Sequence, residues 1–437
     1  MSYTVIYNAN ELVTGPANSA ETDAAGTTPN GSGGPPDGPV LSVLPDAAVV
    51  LEDGEVAAVG SSDELTREYP IDNADEALDA SGKCVLPGFV DPHTHAVFAG
   101  DRSDEFEAKL RGTSYQEILA DGGGILRTVR AVREASEDEL TDSLLERLDT
   151  MLAAGTTTLE IKSGYGLDTE TELKLLAAIG RADERHPIDI VATFMGAHAV
   201  PDDTDAEEYT TSVIEDQFPA VEQQGVAEFC DVFCEADVFS ANQSREILEA
   251  GTDHGLTPKL HIDEFENLGG SKVAAAVSAA SADHLLQSTP DDIDTLLEAD
   301  VTPVLLPGTA FGLGGEYPDL EPYRERNAIP ALGSDFNPNC YAKRQGFTAT
   351  LACVGMGLTP GEALRGITDR AAAAINRFDG TGTLEVGTPA DVVVLEAPSY
   401  RHLPYRYDER VVGSVLKDGE VVSERNASAR SSSKSSE

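Results

Sequence analysis

The chain has 437 residues and carries 77 Asp and Glu against 30 Lys and Arg, a formal net charge of −47. That length suits one large α/β unit with an accessory piece. The charge excludes the basic footprint on which nucleic-acid binding rests, and it works against binding to anionic membrane surfaces.

Residues 3–13 alternate enough to form a strand. Residues 16–39 follow, rich in Gly, Pro, Asn, Thr and Ser; they cannot bury enough apolar area to offset their ordering entropy, so a mobile surface insertion is expected there. Over 47–59, Asp53-Gly54 divides two β-rich runs and marks a hairpin. The pattern returns near the other end, with a strand over 391–395 and a hairpin at Asp418-Gly419 within 411–422. Both ends are therefore all-β. The economical arrangement is one small β-sandwich-like domain built from 1–83 and 379–425, with 426–437 as a frayed Ser-rich tail.

The middle, residues 84–378, alternates strand and helix. Strands are expected over 84–92, 156–161, 189–196, 227–234, 258–263, 281–285, 301–306 and 329–334. Helical patterns lie between them, over 137–154, 170–185, 206–224, 241–254 and 290–299. Ser136 and Thr289 stand at helix starts as N-caps, Thr289 with Pro290 at the first helical position. Eight strands in this alternation predict an α/β fold of the (β/α)8 TIM-barrel type. The open doubly wound alternative lacks its Gly-x-Gly-x-x-Gly fingerprint after a strand, and Gly122-Gly123-Gly124 follows a helix-like segment.

Chemistry in such barrels sits at the C-terminal ends of the strands. Of eight His in the chain, five fall at expected strand ends: His93, His95, His198, His261 and His284. His93 and His95 are i and i+2, which on a strand point to one side. Each alone reads as an ordinary core or surface histidine; five at one rim read as a site. Three imidazoles and a carboxylate suit zinc or iron with a position left for water, whose pKa the metal lowers. Such a site hydrolyses a carbonyl-like carbon, and His284 and Glu264 remain for proton transfer.

These residues sit in recognisable blocks. His93-Thr94-His95 after Pro87-Gly88-Phe89-Val90-Asp91-Pro92, with the late Ser334-Asp335, resembles the metal-dependent amidohydrolase superfamily. The longer blocks His93 to Arg102, Gly122-Gly123-Gly124-Ile125, Glu160 to Leu167, Phe194 to His198, His261 to Phe265 and Ser334 to Pro338 resemble the imidazolonepropionase family. The resemblance implies hydrolysis of 4-imidazolone-5-propanoate to N-formimidoyl-L-glutamate, the third step of histidine degradation. It implies one Zn²⁺ or Fe³⁺ per chain on His93, His95, His261 and Asp335. Arg102, Tyr165 and His198 would hold substrate; Glu264 and His284 would sit by the ring and move protons, with Asp335 counted among the catalytic groups. A guanidinium at Arg102 suits the substrate carboxylate, which it can grip in two places. Asn337 is placed to bond the propionate or product carboxylate.

Two departures from the family pattern stand out. Asn339-Cys340 replaces the usual Gly and Ser or Thr, so substrate contacts from these two residues rest on a weaker donor at Cys340. Strand four ends Cys234-Glu235, with no Lys to carboxylate, which favours one metal over a bridged pair. Another mononuclear amidohydrolase, such as a cyclic-amidine or nucleobase deaminase, is the alternative activity; a non-catalytic barrel scaffold is the alternative class.

Other features carry less. Only nine of the basic residues are Lys, and an acidic surface poor in Lys points to a halophilic source, where the Debye length falls to about 3 Å at 1 M salt. Five Cys (84, 230, 234, 340, 353) are no disulfide framework, and the odd count suggests a reducing compartment. The N-terminus shows no signal-peptide pattern and no run approaches the ~20 apolar residues of a membrane span, so a soluble cytoplasmic enzyme on a small-molecule substrate is expected, with a homodimer left open. Lys162 beside the pocket suits either an electrostatic role or an ion pair. His186 and His254 near helix ends and His402 in the terminal β region are read as structural.

Overall fold

The computed structural model describes residues 2–17, 40–113, 117–118 and 122–425. The insertion expected at 16–39 and the tail at 426–437 therefore lie almost wholly outside the described residues. Five strands open the chain: β1 (Thr4–Pro16), β2 (Leu41–Glu52), β3 (Glu55–Ser61), β4 (Glu76–Asp79) and β5 (Cys84–Pro87). With β14 (Val392–Leu395), β15 (Val412–Lys417) and β16 (Glu420–Glu424) they make one mixed sheet in the order β16-β15-β14-β5-β1-β2-β3, with β4 beside β1. Both expected hairpins are present. Asp53-Gly54 and Asp418-Gly419 carry positive φ at both positions (53° and 83°; 52° and 81°), the backbone that a two-residue turn between twisted strands needs.

The central unit is an eight-stranded parallel sheet: β6 (Phe89–Asp91), β7 (Thr156–Lys162), β8 (Asp189–Ala197), β9 (Phe229–Cys234), β10 (Thr257–Ile262), β11 (Ser281–His284), β12 (Thr302–Leu305) and β13 (Ala331–Leu332). Each strand pairs with its sequence neighbour, as βα alternation dictates. The helices between them bury one stripe. In Glu137–Leu152, Leu140, Leu144, Leu148 and Met151 follow the helical period and are all fully buried. Ser136 closes a capping box with Glu139, and Thr289 closes one with Asp292, each contributing about 1 kcal/mol.

The run 84–92 is two strands rather than one. Cys84–Pro87 joins the terminal sheet beside β1 and β14, and Phe89–Asp91 starts the barrel. Gly88 is the crossing point. Its N–H donates to Asp391 O at 2.8 Å, and a Cβ there would come 2.2 Å from Thr157 Oγ1. The helix expected over 206–224 is broken by a π turn at Val213–Gln217, where Phe218 N–H reaches back to Val213 O. Pro219 has no N–H to continue the α-helical ladder, and the wider turn absorbs the gap. His402 opens the short helix His402–Tyr405 rather than lying in a strand.

Closure of the barrel positions the site. β6 and β13 are too short to meet along their length. The chain just beyond them meets instead, through a bridge between Thr94 and Phe336. Asp335 N donates to His93 O at 3.1 Å and His95 N to Phe336 O at 2.9 Å. Buried Gln345 adds a stitch, its Nε2 donating to Val90 O at 2.7 Å and Leu332 O at 3.3 Å. Among the described residues, no helix is long and apolar enough to cross a membrane.

Candidate metal centre and active site

The closing bridge sets Asp335 against His93 and His95. His93 Nε2 and His95 Nε2 lie 3.6 and 3.7 Å from Asp335 Oδ1, and His95 Nε2 lies 3.4 Å from His261 Nε2. All four side chains are buried. Four donors at about 2.0–2.2 Å from one ion, in tetrahedral array, stand roughly 3.3–3.6 Å apart. The 3.4 and 3.6 Å spacings fall in that range and the 3.7 Å one just beyond it; His93, His95 and Asp335 bring donor atoms within 4.8 Å of one another, and His261 joins them through His95. His93 Nε2 is buried without any hydrogen-bond partner, which is costly unless something else completes it. The donor set and its orphaned nitrogen thus fit a metal ion. A second grouping, His93, His261 and His284, also brings donor atoms within 4.8 Å of one another.

The outer nitrogens of two of these candidate ligands are fixed by carboxylates. His93 Nδ1 is 2.7 Å from Asp283 Oδ2, and His261 Nδ1 is 3.1 Å from Asp231 Oδ1. Each pairing leaves Nε2 as the inward lone pair and orients the ring, as metal-binding imidazoles require. Asp335 is set by Thr309 Oγ1 on Oδ2 and by Asn337 Nδ2 on Oδ1, the latter at 3.0 Å. Beneath lies a buried charge network. Lys162 Nζ is 2.6 Å from both Glu160 Oε1 and Asp231 Oδ2, and Lys259 Nζ lies 3.9 Å from Glu160 and 3.8 Å from Asp283. Lys162 is thus an ion-pair residue of the barrel interior.

Burial controls the protonation states. It holds His93 and His95 well below the ordinary imidazole range, reinforced by Lys162 at the first and His198 at the second. Both are therefore neutral, the form that ligates. Burial lowers His284 in the same way and brings His198 down to about 3. It pushes Glu264 well above the carboxylate range, with Asp335 and Glu235 adding repulsion. Glu264 Oε2 lies 3.7 Å from His284 Nε2, so a carboxyl that burial biases towards its protonated form faces an imidazole that burial biases towards its neutral one.

The remaining expected residues fall around this core. The Tyr165 ring lies 5.8 Å from that of His95 and 5.3 Å from that of His198, which itself stacks on His95 at 4.8 Å. Arg102 is buried, its Nε donating to Glu105 Oε2 at 2.8 Å. Asn337 shapes its own turn. Its Nδ2 serves Asp335, and its Oδ1 accepts from Asn339 N at 2.7 Å and Cys340 N at 2.9 Å. Asn339 is exposed and takes Lys109 Nζ at 2.6 Å on Oδ1. Cys340 is buried, with Sγ 3.7 Å from Ser334 O and its thiol pushed up by burial.

Asp231, Asp283 and Lys259 carry no expected role from the sequence. A signal for Asp283 and Lys259 exists in the two-residue period of the strands. Glu160 and Lys162, Lys259 and His261, and Ser281 and Asp283 are i, i+2 pairs on inward faces.

Two family models match the chain: Amidohydrolase family over residues 99–423, and Imidazolonepropionase-like composite domain, bacteria, over residues 47–70. The imidazolonepropionase of Haloarcula marismortui is 59% identical over 419 residues, covering 96% of each chain. That of Halobacterium salinarum is 55% identical over 423 residues, covering 95% of this chain and 97% of its own. That of Clostridium tetani is 45% identical over 390 residues, covering 87% and 92%. Among solved structures, the guanine deaminase of E. coli superposes with a TM-score of 0.70 at 15% identity, covering 98% of this chain and all of its own. An adenosine deaminase from Xanthomonas campestris with bound zinc gives 0.67 at 16%, covering 96% and 92%. At such identities these two establish the fold alone, a parallel α/β barrel with a sheet built from the chain ends. With the site geometry and more than half-identical full-length relatives in hand, the chain belongs to the imidazolonepropionase family of the amidohydrolases.

Proposed function

We propose that His93, His95, His261 and Asp335 hold one metal ion, Zn²⁺ or Fe³⁺, around which this chain carries out its family's reaction. The chain hydrolyses 4-imidazolone-5-propanoate: the ring amide C–N bond breaks, the carbonyl carbon gains the hydroxyl of water, the nitrogen gains the proton, and N-formimidoyl-L-glutamate results. The observation that supports the ligand set best is the 3.4–3.7 Å spacing of its donors. When bound, the ion supplies a Lewis acid that polarises the ring carbonyl and lowers the pKa of water towards ~7.

The chain's own residues do the rest. Neutral His284 accepts the proton of the attacking water, and Glu264, which holds its proton, gives one to the departing ring nitrogen. Arg102 takes the propionate carboxylate, steadied through its Nε by Glu105 so that the rest of the fork stays available. Tyr165 and His198 flank the ring, and the turn at Asn337, Asn339 and Cys340 closes the same end of the pocket. The enzyme works in the cytoplasm of a salt-adapted cell; the net charge of −47 and five free cysteines support that reading.

The test is product identification by NMR. Protein stripped of metal and reloaded in molar KCl should convert the imidazolone acid to N-formimidoyl-L-glutamate, and Arg102→Ala should raise KM steeply. Folded, loaded protein that released ammonia, or left the ring closed, would overturn the proposal.

A further inference from the structure

Glu172 is fully buried in the helix Thr169–Asp183 and takes part in no ion pair among the described residues. Its carboxylate serves the backbone of one loop, with the Ser163 hydroxyl beside it. Oε2 accepts from Gly164 N at 2.8 Å, and Oε1 accepts from Gly166 N at 2.6 Å and Leu167 N at 2.9 Å. These three N–H groups bracket Tyr165. The loop sits directly on the carboxylate, since a Cβ on Gly166 would come 2.6 Å from Glu172 N and 2.8 Å from its Oε1. From the other side, Arg133 Nε donates to Gly166 O at 3.0 Å, and His198 Nδ1 lies 2.9 Å from Gly164 O.

The loop needs such restraint. Leu167 has φ +56°, a left-handed backbone that crowds a residue with a Cβ, and Gly164 has φ +89°. Charge-assisted hydrogen bonds to a carboxylate are about twice as strong as neutral ones, enough in number here to hold that conformation. The outcome is a tyrosine ring held against His95 and His198 by a side chain that never reaches the pocket.

We propose that Glu172 is a positioning residue for substrate binding: by clamping the 164–167 backbone it fixes Tyr165 against the ring of the imidazolone acid. The inference rests on the reading of Tyr165 as a substrate contact. Glu172→Gln puts an NH₂ where one backbone N–H needs an acceptor, so the clamp opens without loss of size. KM should rise about tenfold, with kcat changed less than threefold and metal content unchanged. Gly166→Ala, which pushes the loop off the carboxylate from its other side, should do the same if Glu172→Gln fails to fold.

The deciding experiment is a double-mutant cycle on metal-replete enzyme. In a Tyr165→Ala background, whose own KM is raised, Glu172→Gln or Gly166→Ala should add less than twofold. An undiminished tenfold rise in that background would overturn the inference while leaving Tyr165 as a substrate contact. An unchanged KM for Tyr165→Ala alone would overturn the reading of Tyr165 and the inference with it.

Discussion

Lys162→Met tests the buried charge network beneath the candidate metal centre. Lys162 Nζ touches Glu160 and Asp231 at 2.6 Å each and lies 3.8 Å from Asp283, with all four side chains fully buried. Burial opposes its charge, but Asp231, Glu160 and Asp283 outweigh that and raise its pKa above the ordinary lysine value. Such a group contributes its full stabilisation below the unfolded-state pKa of ~10.4 and loses it only as pH rises through the higher folded value. Its contribution is therefore constant across pH 6 to 9. Methionine keeps most of the stem, so little cavity forms. What is lost is the cation between carboxylates, and removing one partner of a buried pair costs about 3–5 kcal/mol. Against a total stability of about 5–15 kcal/mol that is a large share. Equilibrium urea unfolding of metal-replete protein at pH 8, in fixed molar KCl, should show a midpoint lower by roughly 1 M or more. A loss below about 1 kcal/mol would refute the network as a structural requirement.

Three further outcomes are expected. Asp283→Asn weakens the anchor on His93 Nδ1, so chelator competition should show metal affinity reduced about 10- to 100-fold in a folded protein. Burial opposes ionisation of Asp292, yet hydrogen bonds from Ser271, Thr289 and Asn267 bring it down to about 2. Its contribution is present above the unfolded value of ~3.9 and lost as pH falls towards 2, so Asp292→Asn should flatten the acid limb of a stability-pH curve between those values. With a net charge of −47, the unfolding midpoint should rise between 0.2 and 2 M KCl; a flat response would remove salt adaptation from the account.

Much of the fold was legible because local chemistry agrees with it. The capping boxes at Ser136 and Thr289, the Asp-Gly hairpins and the βα alternation each follow from residues close in sequence. The split at Gly88 was hidden because Cys84–Pro87 and Phe89–Asp91 are equally apolar, and only their partners in different sheets separate them. At the site, His93 and His95 announce themselves by their spacing. Their partners do not. Asp283 meets His93 across 190 residues and Asp231 meets His261 across 30, pairings that only the strand order of the closed barrel determines. The Asn337 side chain reads as a ligand contact in sequence, yet it closes its own turn, because an Asn side chain readily bonds backbone two residues on.

The central claim is that one metal ion on His93, His95, His261 and Asp335 is required for opening of the imidazolone ring. The most direct measurement titrates stripped protein with Zn²⁺ or iron and follows bound metal by elemental analysis and imidazolone loss by ultraviolet absorbance on the same samples. Turnover should rise in proportion to occupancy and level off at one ion per chain, and His261→Ala should bind weakly and turn over negligibly. Full turnover in metal-free protein, or a plateau reached only at two ions per chain, would contradict the account.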